Sequence, residues 1–289
     1  MVAHATMLTI AYLGPEHTNT HLAAQRRFGT RSRYAHEPTV DDVFSAVERR
    51  RADYGVVPVE NSLEGAVTHT LDRFIDFKDS PVRIAGEIEF PIRHYLVRPP
   101  SATLSSIQAV YSHPQALAQC RRWLRAHLAH KIVLLETNST AEAVDAVLSH
   151  GRLHPTSPLK HVAAIGREEA ARGRHLAAVP IADDRENKTR FLILSLRQPR
   201  RGRRHKTSLL FALKDRPGAL SDALTPFKRE RINLTKIESR PSKKKAWEYD
   251  FFIDFAGHES EPQVKRALRA LQQSTLYLRV LGSYPTAKA

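Results

Sequence analysis

Cysteine is almost missing from this chain. Cys120 is the only one in 289 residues, which excludes a disulfide framework and any thiolate-built metal site and suits a reducing compartment. Long apolar runs are missing too. Nothing approaches the ~20 residues that a membrane-spanning helix requires, and Met1 to Thr6 is too short and polar for a secretory signal. The expectation is a cytoplasmic protein with no membrane partner. Acidic residues are in deficit, 30 against 45 Lys plus Arg. Such an excess attracts phosphates, but the arginines are spread along the chain and no base-reading module is visible. Only Arg197 to Lys206 is dense, and Pro199 and Gly202 interrupt it as they would a linker. The excess therefore predicts anionic small substrates rather than nucleic acid. With no metal-ligand spacing either, neither a metal nor a cofactor is expected.

What is present is core material, with 42% apolar residues, and enough length for two domains. The organising stretch runs from Tyr54 to Gly65. Its apolar, β-favouring half feeds into Glu60, Asn61 and Ser62, so a polar cluster emerges at the carboxyl end of a buried strand, where open α/β sheets bind ligands. A loop with Ser62 as a helix N-cap is the plain alternative. A second stretch, Asn187 to Phe191, repeats the design at the start of another apolar run.

From Leu8 to Leu196 strands and helices alternate, which is the signature of α/β layers. Thr18 and Thr39 begin helices. Pro114 opens a helix with Leu117, Cys120, Leu124 and Leu128 on one stripe, and Ser139 with Glu142 reads as a capping box. Several helix N-termini follow strand ends; their unpaired N–H groups and dipoles together favour an anion, one with two carboxylates among the possibilities. After the basic segment the grammar changes. Thr207–Leu213, a helix over Ala219 to Phe227, Ile232–Ser239, Trp247–Phe255, a helix capped by Ser260 and Leu276–Leu281 give β-α-β-β-α-β, a ferredoxin-like unit. Lys243 to Lys245 reads as its charged turn, and its edge strand invites a second copy.

These motifs together resemble the prephenate dehydratase family over nearly the whole chain. The resemblance rests on Tyr12-Leu13-Gly14-Pro15-Glu16, Val57 to Ser62, Tyr111 to Gln115 with Gln119, Ser139-Thr140-Ala141 and Thr189-Arg190-Phe191. The C-terminal part is similar to an ACT domain through Gly218-Ala219-Leu220 with Leu224, and Glu238-Ser239-Arg240-Pro241. The fold implied is α/β. It has a two-lobed catalytic domain over 7–197, like periplasmic binding proteins, whose second lobe covers about 86–178. A basic linker (198–206) and a regulatory ACT domain (207–285) follow. The activity implied is a lyase reaction without cofactor, prephenate to phenylpyruvate with loss of CO2 and water. Phenylalanine would act as allosteric effector on a homo-oligomer, a dimer or a tetramer built from dimers.

By resemblance, the catalytic group is Thr189 with Glu60, Asn61 and Glu168. Thr18, Thr20, Ser62, Ser112, Gln119, Ser139, Thr140, Arg190 and Phe191 would bind substrate. Pro217, Gly218, Ala219, Leu220, Leu224, Glu238, Ser239, Arg240 and Pro241 would bind the effector. A threonine hydroxyl is a poor acid, so Thr189 needs a neighbour or acts by polarising the leaving group. A carboxylate beside a dianion is repulsive, so Glu60 and Glu168 are expected to position rather than to bind carboxylates. Arg190 suits a bidentate carboxylate contact or a structural salt bridge, and Phe191 suits packing. His113 and Cys120 are better read as a helix start and a core residue than as catalysts.

One stretch departs from the family pattern. His17-Thr18-Asn19-Thr20 stands where the pattern has glycine, a hydroxyl residue, an aromatic and a hydroxyl residue. A positive φ at position 17 would be costly for histidine; the imidazole there could instead touch the ligand. Two further readings keep the fold, arogenate as substrate or a weakened amino-acid sensor.

Overall fold

A computed structural model of the chain describes residues 7–76, 79–129, 131–153, 159, 161–199, 202, 204–242 and 248–287. The expected turn at Lys243 to Lys245, Trp247, and Arg200, Arg201 and Arg203 of the basic segment lie outside the described residues. The elements run β1 (Thr9–Leu13), α1 (Asn19–Phe28), β2 (Arg33–Glu37), α2 (Val40–Glu48), β3 (Tyr54–Asn61), β4 (Gly65–Ala66), α3 (Thr68–Asp76) and β5 (Arg83–Pro91). Next come β6 (Tyr95–Arg98), β7 (Ala109–Ser112), α4 (Pro114–Gln119), α5 (Arg121–His127), β8 (Val133–Glu136), α6 (Thr140–Leu153), β9 (Val162–Gly166), α7 (Glu168–Ala171), β10 (Ala177–Pro180) and β11 (Lys188–Ser195). The chain closes with β12 (His205–Leu213), α8 (Ala219–Arg229), β13 (Leu234–Pro241), β14 (Tyr249–Ala256), α9 (Pro262–Ser274) and β15 (Thr275–Pro285).

These elements gather into two compact units. One holds the chain up to Leu13, Ala23–Glu89 and everything from Thr189 onward; the other holds Gly14–Leu22 and Phe90–Lys188. In the first, a sheet of order β2-β1-β3-β11-β5 carries β4 on β3. Strand β1 is parallel to both β2 and β3, whereas β11 runs antiparallel to β3. Val57 and Val59 of β3 and Leu192 and Leu194 of β11 pack with Phe44 and Val47 of α2 and Leu71 and Phe74 of α3. That apolar environment is why Tyr54 to Val59 reads as a nearly continuous hydrophobic run.

A second sheet in the same unit has the order β13-β14-β12-β15 and is antiparallel throughout. With α8 and α9 it forms the β-α-β-β-α-β order expected from the sequence. Leu209, Phe211, Ile253 and Phe255 face Phe227, Val264 and Leu271. The opposite face is also buried, because Leu210, Phe252, Leu281 and Tyr284 join the core of the first sheet. At Gly282 the approach is so close that an added Cβ would stand 2.1 Å from the carbonyl oxygen of Ile84. Arg83 and Arg279 donate across the same seam to the carbonyls of Val280 and Ser80, at 3.2 and 2.6 Å.

The other unit is built on a sheet of order β10-β6-β9-β7-β8, with apolar cores that include Leu117, Cys120 and Leu124 in one and Val144 and Val147 in another. Three local expectations change here and in the last sheet. The helix expected from Pro114 to Leu128 is two helices, broken at Cys120 (φ −116°, ψ 8°). Asp183, distant in sequence, accepts the N–H groups of Arg122 and Trp123 at 2.9 Å each and so caps a new N-terminus. Ser139 accepts the Glu142 N–H at 3.0 Å, but Glu142 returns to Asn138 rather than to the cap residue. Glu261, not Ser260, is the N-cap of α9, because the Ser260 hydroxyl is bonded to the His258 ring. Among the described residues no helix is long and apolar enough to cross a membrane.

Candidate active site

The two polar stretches singled out in the sequence meet in the first unit. Register between β11 and β3 sets Thr189 opposite Asn61 and Arg190 opposite Glu60, with an irregularity after Arg190. The Asn61 Nδ2–H donates to Thr189 Oγ1 at 2.9 Å, and both residues are buried. Asn61 Oδ1 accepts the backbone N–H groups of Leu63 and Glu64 at 3.0 and 3.1 Å. Those two donors fix which end of the amide is oxygen, so the NH2 group must point at Thr189. The threonine oxygen therefore accepts from Asn61, and its own O–H is oriented to donate elsewhere. This is the neighbour that a weakly acidic hydroxyl requires. Ser62, next in line, is exposed.

Arg190 lies differently from its expected substrate contact. Its guanidinium bonds Glu60 at 3.0 Å, Glu87 at 3.2 Å and Asp254 at 2.7 Å. Lys236 also reaches Glu60 at 2.9 Å, and Lys206 reaches Glu87 at 2.8 Å. Burial disfavours the Arg190 charge, but Asp254 and Glu87 outweigh it and hold the proton more tightly than in an ordinary arginine. With three carboxylates on its guanidinium, Arg190 serves as the salt-bridge hub that was its alternative reading, and Glu60 is a paired carboxylate. Phe191 is corrected likewise. Its ring is fully buried because β11 is covered on both faces from Phe191 to Ser195.

In the second unit, Gln119 Oε1 accepts from Asn187 Nδ2 at 3.0 Å and lies 2.8 Å from His94 Nε2. An oxygen that accepts on both sides requires the His94 proton on Nε2. Burial, more than the nearby Arg167 charge, lowers the His94 pKa, while its bond to Gln119 opposes the shift. Ser112 is fully buried and its hydroxyl donates to the Ile165 carbonyl at 2.9 Å. It ties β7 to β9, so its expected substrate contact is replaced by a structural one. Ser139 and Thr140 are half-buried at the start of α6, and Glu168, also half-buried, pairs loosely with Arg172 at 3.3 Å. Thr18 donates to the Pro15 carbonyl at 3.0 Å and accepts from the His21 N–H at 3.3 Å. Thr20 is buried.

The departing loop is accounted for by neighbours that sequence reasoning missed. His17 does adopt positive φ, +63°, and its N–H donates to His21 Nδ1 at 3.0 Å. Asn19 accepts from Arg167 at 3.0 Å; that guanidinium also donates to the Pro91 carbonyl at 3.2 Å, bonds Glu169 and lies 5.1 Å from the Phe90 ring centroid. A buried arginine thus holds the position where the family pattern has an aromatic. No local pattern could have announced this, since Asn19 and Arg167 are far apart in sequence.

The His17–His21 bond makes a pH prediction. Nδ1 can accept only in the neutral ring, and burial lowers the His21 pKa, with Glu16 opposing and His17 reinforcing. A lowered histidine pKa means the unfolded chain takes up the proton more readily. Stability is therefore complete above the usual imidazole value near 6.5 and is lost as pH falls below it. The melting temperature should drop between pH 7.5 and 5.5, and less so in His21→Asn, whose Oδ1 accepts at every pH. Equal drops in both proteins would refute the assignment.

The residues expected to bind an effector divide between two faces. Gly218 is the N-cap of α8 at φ +77°, and an added Cβ would meet nothing within 4 Å, so conformation rather than space demands glycine. A cavity of about 170 Å³ lies beside it, lined by Leu213, Arg216, Ala219, Leu220, Tyr249 and Phe251. Tyr249 and Phe251 reach it from alternate positions of β14. Pro217 is exposed and Leu224 half-buried. On β13, Ser239 pairs with Phe251 and Pro241 with Tyr249, the strand residues that line the cavity. Glu238 and Arg240 point the other way, and Arg240 bonds Asp72 of α3 at 2.9 and 3.2 Å. Direct effector contact by Arg240 within its own chain is thereby replaced by a contact between the sheets. His113 caps α4, with Nδ1 accepting from the Gln115 N–H at 3.2 Å. The Cys120 thiol is buried, which with nearby Asp183 pushes its pKa up to about 12, so it does not serve as a thiolate nucleophile.

Comparison with known proteins gives a consistent result. The sequence model of the prephenate dehydratase family matches residues 10–199, and that of the ACT domain matches 207–273. The chain is 47% identical over 282 residues to a bifunctional chorismate mutase/prephenate dehydratase of Aquifex aeolicus, covering 97% of this chain and 74% of that one. It is 34% identical to an arogenate dehydratase/prephenate dehydratase of Arabidopsis thaliana, covering 98% and 74%. In structure it resembles the Arthrobacter aurescens prephenate dehydratase in complex with L-Phe, with TM-score 0.85, 33% identity and 96% and 90% coverage.

Proposed function

We propose, from the premise that the chain belongs to the prephenate dehydratase family, that Thr189 is the group that helps expel the ring hydroxyl of prephenate. The protein is a carbon–oxygen lyase of aromatic amino acid biosynthesis that converts prephenate to phenylpyruvate. In that reaction the C–O bond to the ring hydroxyl and the C–C bond to the ring carboxylate both break. The electron pair released with CO2 flows into the ring and aromatises it. Prephenate is a dianion and phenylpyruvate a monoanion, so one proton is taken up as the hydroxyl leaves as water. The observation that carries the assignment is the oriented Asn61–Thr189 hydrogen bond. It leaves the threonine O–H as a donor to the leaving oxygen, a stabilisation present only as charge develops there. The dianion is drawn by the net charge of +15. Within the second unit, Thr20, Ser139 and Thr140, with the N-termini of α1 and α6, are its own candidate hydroxyl and N–H donors to an anion. Gln119 presents an amide, oriented by His94 and Asn187.

The same reading takes 7–197 as the dehydratase part and 207–285 as an ACT domain that senses phenylalanine beside Gly218. It places the enzyme in the cytoplasm as a dimer or tetramer, joined where edge strand β13 exposes Ile237. Incubation with prephenate should yield phenylpyruvate, and phenylalanine should slow the reaction and raise the melting temperature. Rates on prephenate and arogenate, measured side by side, decide the substrate. A faster rate on arogenate transfers the assignment to that compound, and no turnover of either leaves a sensor.

A further inference from the structure

Strand β13 has two faces with different neighbours. Its helix-side residues, Ile237 and Ser239, pair with Ile253 and Phe251 of β14, and Phe251 lines the cavity near Gly218. Its alternate residues, Lys236 and Arg240, pair with Asp254 and Asp250 and project to the dehydratase sheet. There Lys236 Nζ donates to Glu60 at 2.9 Å with its side chain nearly buried, and Arg240 holds Asp72 with two bonds. Glu60 immediately precedes Asn61. Asp72 lies on α3, whose Thr70 hydroxyl donates to the Pro58 carbonyl of β3 at 2.6 Å. The first contact thus ends on the strand that holds Asn61 against Thr189, and the second on the helix bonded to that strand.

The charges on this seam close on themselves. Arg190, Lys206 and Lys236 balance Glu60, Glu87 and Asp254, and Ser208 donates to Asp254. Arg190 Nε is buried with no protein partner, and the residue lines a cavity of about 20 Å³ with Lys236, Ser208 and Asp254. That is room for about one water, so the packing there is looser than in the surrounding core. A buried network of this kind tolerates few arrangements, because a displaced partner leaves an uncompensated charge.

We propose that β13 acts as a two-sided lever within one protomer. An amino-acid effector on its helix side moves the strand, and Lys236–Glu60 with Arg240–Asp72 carries that movement to the Asn61–Thr189 pair. Lys236 and Arg240 are positioning residues that touch neither substrate nor effector. The proposal rests on the function given above, because it takes Thr189 as the working group and phenylalanine as the effector.

The test compares the full-length chain with Lys236→Met and Lys236→Arg. Inhibition is expressed against each protein's own uninhibited rate, and phenylalanine binding is followed by calorimetry. Lys236→Met should bind phenylalanine within about twofold of the wild type, yet need at least tenfold more of it for half-inhibition; Lys236→Arg should restore the response. Hydrogen exchange gives a readout independent of turnover. Phenylalanine should change the exchange of residues 58–64 in the wild type and not in Lys236→Met. If Lys236→Met does not fold, Arg240→Met breaks the second contact and is judged by the same two criteria. An unaltered half-inhibition, or unaltered exchange of 58–64 in the wild type while phenylalanine binds, overturns the lever. A wild type that turns over neither compound but still shows the exchange change would refute the enzyme assignment and leave the lever standing.

Discussion

Thr189→Ala should lower kcat by about 10²- to 10⁴-fold, the range over which a positioned proton donor acts, with KM changed far less. Three features support an effect of this size. The side chain is buried, its oxygen accepts from Asn61, and Asn61 is held by two backbone donors. An alanine there removes the donor and leaves the Asn61 amide facing a void, so no other group takes its place. Thr189→Ser keeps the hydroxyl and should retain most of the rate. Melting curves that match the wild type would show that folding is intact in both. A Thr189→Ala rate within tenfold of the wild type would remove the hydroxyl from the mechanism and shift attention to Glu168.

Stability has its own sensitive point at Gly282. A methyl group there would stand 2.1 Å from the Ile84 carbonyl oxygen, and backbone cannot rotate away as a side chain can. Strand β15 and strand β5 must separate, which strains the Arg83 and Arg279 bonds across the same seam. Overpacking of this severity should cost about 3 kcal/mol and lower the melting temperature by roughly 6–12 °C for a unit of this size. Gly86→Ala on β5 is the natural control. Its Cβ would meet the Ile193 Cδ1 atom at 3.1 Å, a flexible tip that can move aside, so its melting temperature should change little. Equal effects of the two substitutions would show that the seam is not rigid.

Much of the fold was legible along the chain. Apolar runs of strand length set between amphipathic stripes gave the α/β alternation, and the switch to β-α-β-β-α-β after the basic segment was visible in spacing alone. Thr39, accepting from Asp42 N–H at 3.1 Å, is a cap that its own neighbours announce. Elements stabilised from far away were not legible. The break at Cys120 depends on Asp183, and the edge strand Ala177–Pro180 depends on β6 for its hydrogen bonds.

The residue types needed for the chemistry, and the order in which they occur, are properties of the sequence itself. A hydroxyl at 189 and an amide at 61 sit at strand ends because apolar runs lead to one and away from the other. Which groups those side chains face was decided only by folding. Arg190 reads as an anion receptor until Glu60, Glu87 and Asp254 converge on it, and Arg240 reads as an effector contact until Asp72 meets it. Local sequence sets backbone preference and burial pattern over a few residues, whereas charge pairing depends on which distant strands a sheet brings within hydrogen-bond reach.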